Sequence, residues 1–159
     1  MSRITPFLWF DGNAEDAMNF YVSIFRNSEV LHVHRYPEGG PMPAGTAMMT
    51  SYKLDGQEFM GLNGGPDFKF TEATSFFVNC EDQEEVDYYW DKLLAGGGTP
   101  TQCGWLKDKF GLSWQVIPKA LGGLIGGPDP EAAGRAMQAM LQMTKIDVAK
   151  LQAAYDGTP

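Results

Sequence analysis

The chain has 159 residues, 43% hydrophobic and 13% aromatic, enough for a buried core and too apolar for a disordered chain. Twenty acidic against 12 basic residues give a net charge of −8, which argues against nucleic acid or an anionic membrane surface as a partner. Two cysteines make no disulfide framework, the opening MSRITPFLWF is too short and too soon polar for a signal peptide, and no apolar run nears the ~20 residues of a membrane span, so a cytoplasmic location is expected.

Ile4 to Phe10 reads as a short apolar strand. Asp11-Gly12-Asn13 is a turn, with Asn13 placed to cap a helix that runs to about Phe25. Ala14, Ala17, Met18, Tyr21 and Phe25 form its apolar face, and Glu15 and Asp16 suit the positive end of its dipole. Glu29 to Tyr36 is a second strand, Pro37 to Gly45 a loop, and Thr46 to Leu54 a third strand. Asp55-Gly56 is a two-residue hairpin signal, and Gln57 to Leu62 returns as the fourth strand before a loop that reaches Glu72.

The pattern then restarts. Thr74 to Cys80 is a strand, and Asp82 caps a helix with Val86, Tyr89, Trp90 and Leu93 on its inner face. Gly96-Gly97-Gly98 stops that helix. Thr101 to Leu106, Lys109-Phe110 and Ser113 to Ile117 supply further strands, with Lys107-Asp108-Lys109 as a solvated turn between them. Both halves therefore read β-α-β-β-β. Asn13 and Asp82, Glu15 and Glu84, and Phe20 and Tyr89 all stand 69 residues apart (82 − 13, 84 − 15, 89 − 20), which points to an internal repeat.

After Pro118 the character changes. Leu121 to Pro128 reads as a Gly-rich linker. Asp129-Pro130-Glu131 is a helix start, followed by a face of Ala133, Met137, Met140, Leu141 and Thr144. Asp147 caps a second short helix, with Ile146 placed to staple onto Leu151. A tail of this length does not fold alone, so it packs on its own sheet or on a partner subunit.

The strings WFDGNAEDAMNFYVSIF, GGPDFKFTEATSFFVNCEDQEEVDYYWDKLLAGG and CGWLKDKFGLSWQVIP resemble the PhnB-like family, which also carries the name 3-demethylubiquinone-9 3-methyltransferase. The tail RAMQAMLQMTKIDVAKLQAAY is similar to that family's C-terminal segment. The resemblance implies the glyoxalase/bleomycin resistance, or vicinal oxygen chelate, superfamily. The fold class it implies is α+β: two βαβββ modules forming a curved, cup-shaped mixed sheet, with a helical C-terminal extension. The expected boundaries are one glyoxalase-like domain over 1–120, with modules 1–66 and 72–120, and the extension over 129–156. The resemblance also implies a homodimer and a small-molecule ligand held in the cup, with a divalent metal in the enzymes.

Metal-binding members of the superfamily place ligands on the first and last strand of each module. Counting from the helix Phe-Tyr pair and from the turn glycines puts these slots at Pro6, Met60, Ser75 and Gln115. Only Gln115 offers a usable donor, and one neutral oxygen does not hold a metal. The expectation is no metal and no cofactor. A slip of one residue would turn each slot to the opposite face. Were ligands misplaced in this way, His32, His34, Glu58 and Gln115 would be the first to consider for a metal-dependent lyase, isomerase or dioxygenase. The methyltransferase label finds no support in a strand–glycine-turn–helix segment of the kind S-adenosylmethionine enzymes use. Candidate pocket residues, from strand position, are Trp9, Tyr36, Met60, Ser75, Cys103, Trp105, Trp114 and Gln115, several of which are expected to serve the core instead. Cys80 and Cys103 have no evident histidine partner and read as inert thiols.

Overall fold

A computed structural model describes residues 2–159, and the chain divides into two compact units, the first ending at Phe70 and the second spanning Thr71–Pro159. The first unit contains β1 (Phe7–Phe10), α1 (Ala14–Ile24), β2 (Glu29–Arg35), β3 (Ala47–Leu54) and β4 (Gln57–Asn63). The second contains β5 (Ser75–Cys80), α2 (Gln83–Leu94), β6 (Thr99–Pro100), β7 (Trp105–Lys107) and β8 (Ser113–Pro118), then α3 (Lys119–Ile125), α4 (Pro130–Leu141) and α5 (Val148–Asp156). The two sheets share one topology: β1-β4-β3-β2 in the first and β5-β8-β7-β6 in the second. In each, the first strand pairs parallel with the last and the remaining pairs are antiparallel. The repeated βαβββ pattern is thus present in the backbone.

Each sheet buries one face under its helix. In the first unit Leu8, Phe10, Ala47, Tyr52, Leu54 and Phe59 meet Ala14, Ala17, Met18, Tyr21 and Ile24 of α1. In the second, Cys80, Leu106, Trp114 and Val116 meet Val86, Trp90 and Leu93 of α2. Strand alternation sends the intervening residues to the opposite, helix-free face.

The two units differ by one residue where strand meets helix. Three residues separate β1 from α1, but only two separate β5 from α2. The extra residue is accommodated at Gly12, whose φ of +86° is a conformation a side chain resists. Helix starts therefore stand 69 residues apart (83 − 14), whereas the strand ends stand 70 apart (80 − 10). This corrects the first slot. The first-unit equivalent of Ser75 is Thr5, and Pro6 belongs to the opposite phase.

Local signals explain most elements. Asp55 and Gly56 both have positive φ (+50° and +79°), the turn that matches a right-handed hairpin twist. The Asp82 side chain accepts from Glu85 N, and Glu85 Oε1 accepts from Glu81 N (2.9 Å). Asp129 and Asp147 cap α4 and α5 in the same way. Asn13 does not cap α1. The free N–H of Ala14 donates instead to Asn63 Oδ1 (2.9 Å), reached from the end of β4.

Four further expectations are corrected. Thr101 to Cys103 is a turn, because Cys103 (φ +56°) and Gly104 (φ +84°) are both left-handed and break the strand; only Trp105–Lys107 remains extended. Lys109-Phe110 is a turn organised by Asp108. The 121–128 segment is not all linker, since α3 forms across Gly122-Gly123 with Leu121 and Leu124 buried; tertiary packing outweighs glycine's poor helix propensity. The buried side of α4 is Ala132, Ala133 and Ala136, with Leu141 exposed and Thr144 beyond the helix.

The tail packs within the second unit. Ile117, Leu121, Leu124, Ala136, Ile146 and Leu151 form one buried cluster. Gln83 clamps the start of α5, donating to Ile146 O (3.0 Å) and accepting from Val148 N (2.7 Å). Cys103 N and Gly104 N donate to Met143 O and Thr144 O. A Cβ on Gly104 would fall 2.7 Å from Ile117 and 3.0 Å from Ile146, so that contact requires glycine.

Candidate functional site

The helix-free face of each sheet holds most of the candidate residues. In the first unit the ladder lines up His32, Ser51, Met60 and Phe7 in one row, and His34, Met49, Leu62 and Trp9 in the next. Trp9 is half-buried; its Nε1 donates to Gly65 O (2.9 Å) and its ring meets Phe68 edge-on at 4.9 Å. The indole thereby pins the Asn63–Phe68 loop beside the face. Tyr36 lies past the end of β2, where its backbone pairs with Thr46 and Gly45 to close the Pro37–Gly45 loop. It is at the margin of the sheet and not among these rows.

In the second unit the rows are Phe77, Gln115, Trp105 and Ser75, Ser113, Lys107. Gln115 Nε2 donates to Ser75 Oγ (3.0 Å). This leaves the amide oxygen of Gln115 as an acceptor without a protein partner among the described residues. Ser113 Oγ is buried and makes no hydrogen bond. Lys107 forms an ion pair with Glu72, which holds the Glu72 carboxyl below its ordinary value, chiefly through the Lys107 hydrogen bond. Beside this face runs a groove of about 810 Å³ lined by Glu72, Thr101, Cys103, Trp105 and Thr144, among others. Ser75 and Gln115 are thus hydrogen-bonded, Trp105 is the ladder partner of Gln115, and Trp105 shares the groove with Cys103.

Trp114 leaves the candidate list. It is 2% exposed and lies on the helix-covered face, where its Nε1 donates to Asp108 Oδ2 (2.9 Å). Asp108 is likewise not a solvated turn residue. It is 3% exposed and also accepts from Phe110 N (2.8 Å) and Leu112 N (3.1 Å). Its flanking lysines suggest solvent in the sequence, and only the turn's inward geometry reveals the burial. Phe7 and Phe77, each about half exposed (50% and 52%), are the residues missed; both are ladder partners of slot positions, and strict strand alternation would have identified them. Cys80 is buried, and burial, with the nearby Glu85 charge, pushes its thiol up to about 12.

The donor chemistry does not fit a divalent metal in the four slots. Thr5, Met60 and Ser75 offer hydroxyl, thioether and hydroxyl, and the Gln115 amide already serves Ser75. Among the described residues, no group of three or more His, Cys, Asp or Glu side chains is placed to hold an ion. His32 and His34 share the face with Glu58, but β2 and β4 are two strand spacings apart, about 10 Å. S-adenosylmethionine fits no better by the usual route: each sheet has a single parallel pair, and the glycines at 96–98 follow α2 and do not lead into a helix.

The model of the family described as 3-demethylubiquinone-9 3-methyltransferase matches residues 2–117. The PhnB protein from Bacillus cereus is 41% identical over 74% of this chain and 99% of its own, with a TM-score of 0.68. A protein from Pseudomonas aeruginosa shares the fold at 19% identity (74% and 98% covered, TM-score 0.61). So does a glyoxalase-related enzyme from Fulvimarina pelagi at 14% (76% and 91% covered, TM-score 0.50). No curated protein matches the chain. No helix is long and apolar enough to cross a membrane among the described residues. With its paired βαβββ units and a family match over most of its length, the chain belongs to the PhnB-like 3-demethylubiquinone-9 3-methyltransferase family.

Proposed function

We infer that this protein binds a small, partly apolar molecule on the helix-free face of its second sheet, without a metal in the slots. The observation that carries this reading is the Gln115–Ser75 hydrogen bond. Two positions that would serve as ligands in a metal-binding relative here satisfy one another as neutral groups. Trp105 and Phe77 flank them and supply flat apolar surface, while the Gln115 amide oxygen remains to accept a hydrogen bond. A fragment panel screened by thermal shift in EDTA tests this. Stabilising fragments are expected to persist in EDTA and to lose their effect in Gln115→Leu and Trp105→Ala. Fragments that act only with added metal would overturn it.

The protein is further proposed to act as a cytoplasmic homodimer. Exposed apolar side chains at Phe7, Val30 and Leu31 supply surface for a second copy to cover. Methyl transfer, the activity in the family's description, is the second reading and rests on the family match alone. Calorimetry with S-adenosylmethionine decides it: absence of heat removes that reading.

A further inference from the structure

We propose that His32 and His34, with the Met49 thioether beside them, form a copper-binding site on the helix-free face of β2. The site uses the first sheet alone and stands independently of the ligand reading above.

The geometry of β2 carries the argument. Its ladder to β3 slips on both sides of the pair, between Val30 and His32 and between His34 and Arg35. Such bulges re-aim side chains. Residues i and i+2 on a strand stand about 6.7 Å apart along the chain. The two imidazole centroids are only 4.1 Å apart, with an interplanar angle of 73°, so the rings lean toward each other. Two imidazoles on one ion, with metal–nitrogen bonds of about 2.0–2.1 Å, have centroids about 4.5–5.2 Å apart. Closing on an ion therefore needs the rings to part by about 0.4–1.1 Å, easily made by two exposed side chains.

The neighbours fit the same ion. Met49 is the direct ladder partner of His34, and facing side chains on antiparallel strands have Cβ atoms about 4.5–5.5 Å apart. Imidazole with thioether is a donor set that favours copper over magnesium or calcium. Arg35 is held by Glu15 at 2.6 Å, and Lys53 lies between Glu29 and Glu58 in the ladder. The net charge of −8 favours approach of a cation.

The test is a Cu2+ titration of the full chain in a Cys103→Ser background, which keeps the partly exposed thiol from competing. One equivalent is expected to bind, with nitrogen splittings from two imidazoles in the electron paramagnetic resonance spectrum. Removing an outer-shell partner of a metal ligand already costs about 10–100-fold in affinity, so His32→Gln or His34→Gln is expected to weaken binding at least tenfold. The double variant should lose the two-nitrogen signal. Unchanged binding in the double variant, or a wild-type spectrum with fewer than two nitrogens, overturns the proposal. Both histidines are exposed, and circular dichroism confirms that the variants remain folded.

Discussion

Asp108 shows how a single carboxylate organises a turn. It gathers two backbone N–H groups and the Trp114 indole inside the second unit, and so fixes the hairpin that carries Gln115. Asp108→Ala would remove the carboxylate acceptor of three N–H donors, two of them buried, and the expected loss is about 3 kcal/mol, measured by urea denaturation. Asp108→Asn retains one acceptor but turns an amide N–H toward the indole N–H, and an intermediate loss is expected. Cys80 gives a second prediction. Its thiol is neutral in the folded chain up to about pH 12, against an ordinary value of 9.0. The folded state thus holds its proton where the unfolded state releases it. That contribution to stability is fully present below pH 9 and declines as pH rises from there toward 12. Iodoacetamide at pH 8 should therefore leave Cys80 unlabelled by mass spectrometry until denaturant is added. Labelling of the native chain at Cys80 would show that the thiol is not buried as described.

At the scale of elements, caps and turns were the most legible features. Asp82, Asp129 and Asp147 cap the helices that their positions announce, and Asp55-Gly56 makes its hairpin. What the sequence did not reveal are interactions between distant segments. Asn13 sits where a cap belongs, yet the donor of α1 is satisfied by Asn63, 49 residues away in the chain. Asn63 also donates to Ala47 O (3.1 Å), tying β4, β3 and α1 together. Asn63→Ala is expected to cost about 1 kcal/mol or somewhat more, and Asn13→Ala close to nothing, in paired denaturation curves. Equal losses would restore Asn13 as the cap. The short β7 and the unforeseen α3 have the same origin. Left-handed Cys103 and Gly104 end one strand to meet the tail, and burial of Leu121 and Leu124 makes a helix from a glycine-rich segment.

Across the whole molecule, the repeat was readable because side-chain type, caps and spacing agreed between halves. Its phase was not, since a single residue at Gly12 offsets strands from helices and moves the first slot from Pro6 to Thr5. The absence of good ligands survives that correction: a hydroxyl replaces a proline. The candidate site was legible in part. Gln115 and Ser75 do meet, whereas Trp114 and Asp108 belong to the core, a distinction that depends on which face of β8 each occupies. The second sheet is proposed to bind its ligand through the neutral groups of Gln115, Ser75 and Trp105. The most direct measurement is a 15N–1H correlation spectrum of the protein titrated with a binding fragment, with and without EDTA. Shifts are predicted to centre on Ser75, Phe77, Trp105 and the Gln115 side-chain amide, and to be the same in both conditions. Shifts that vanish on adding EDTA, or that leave these residues unmoved, would contradict the account.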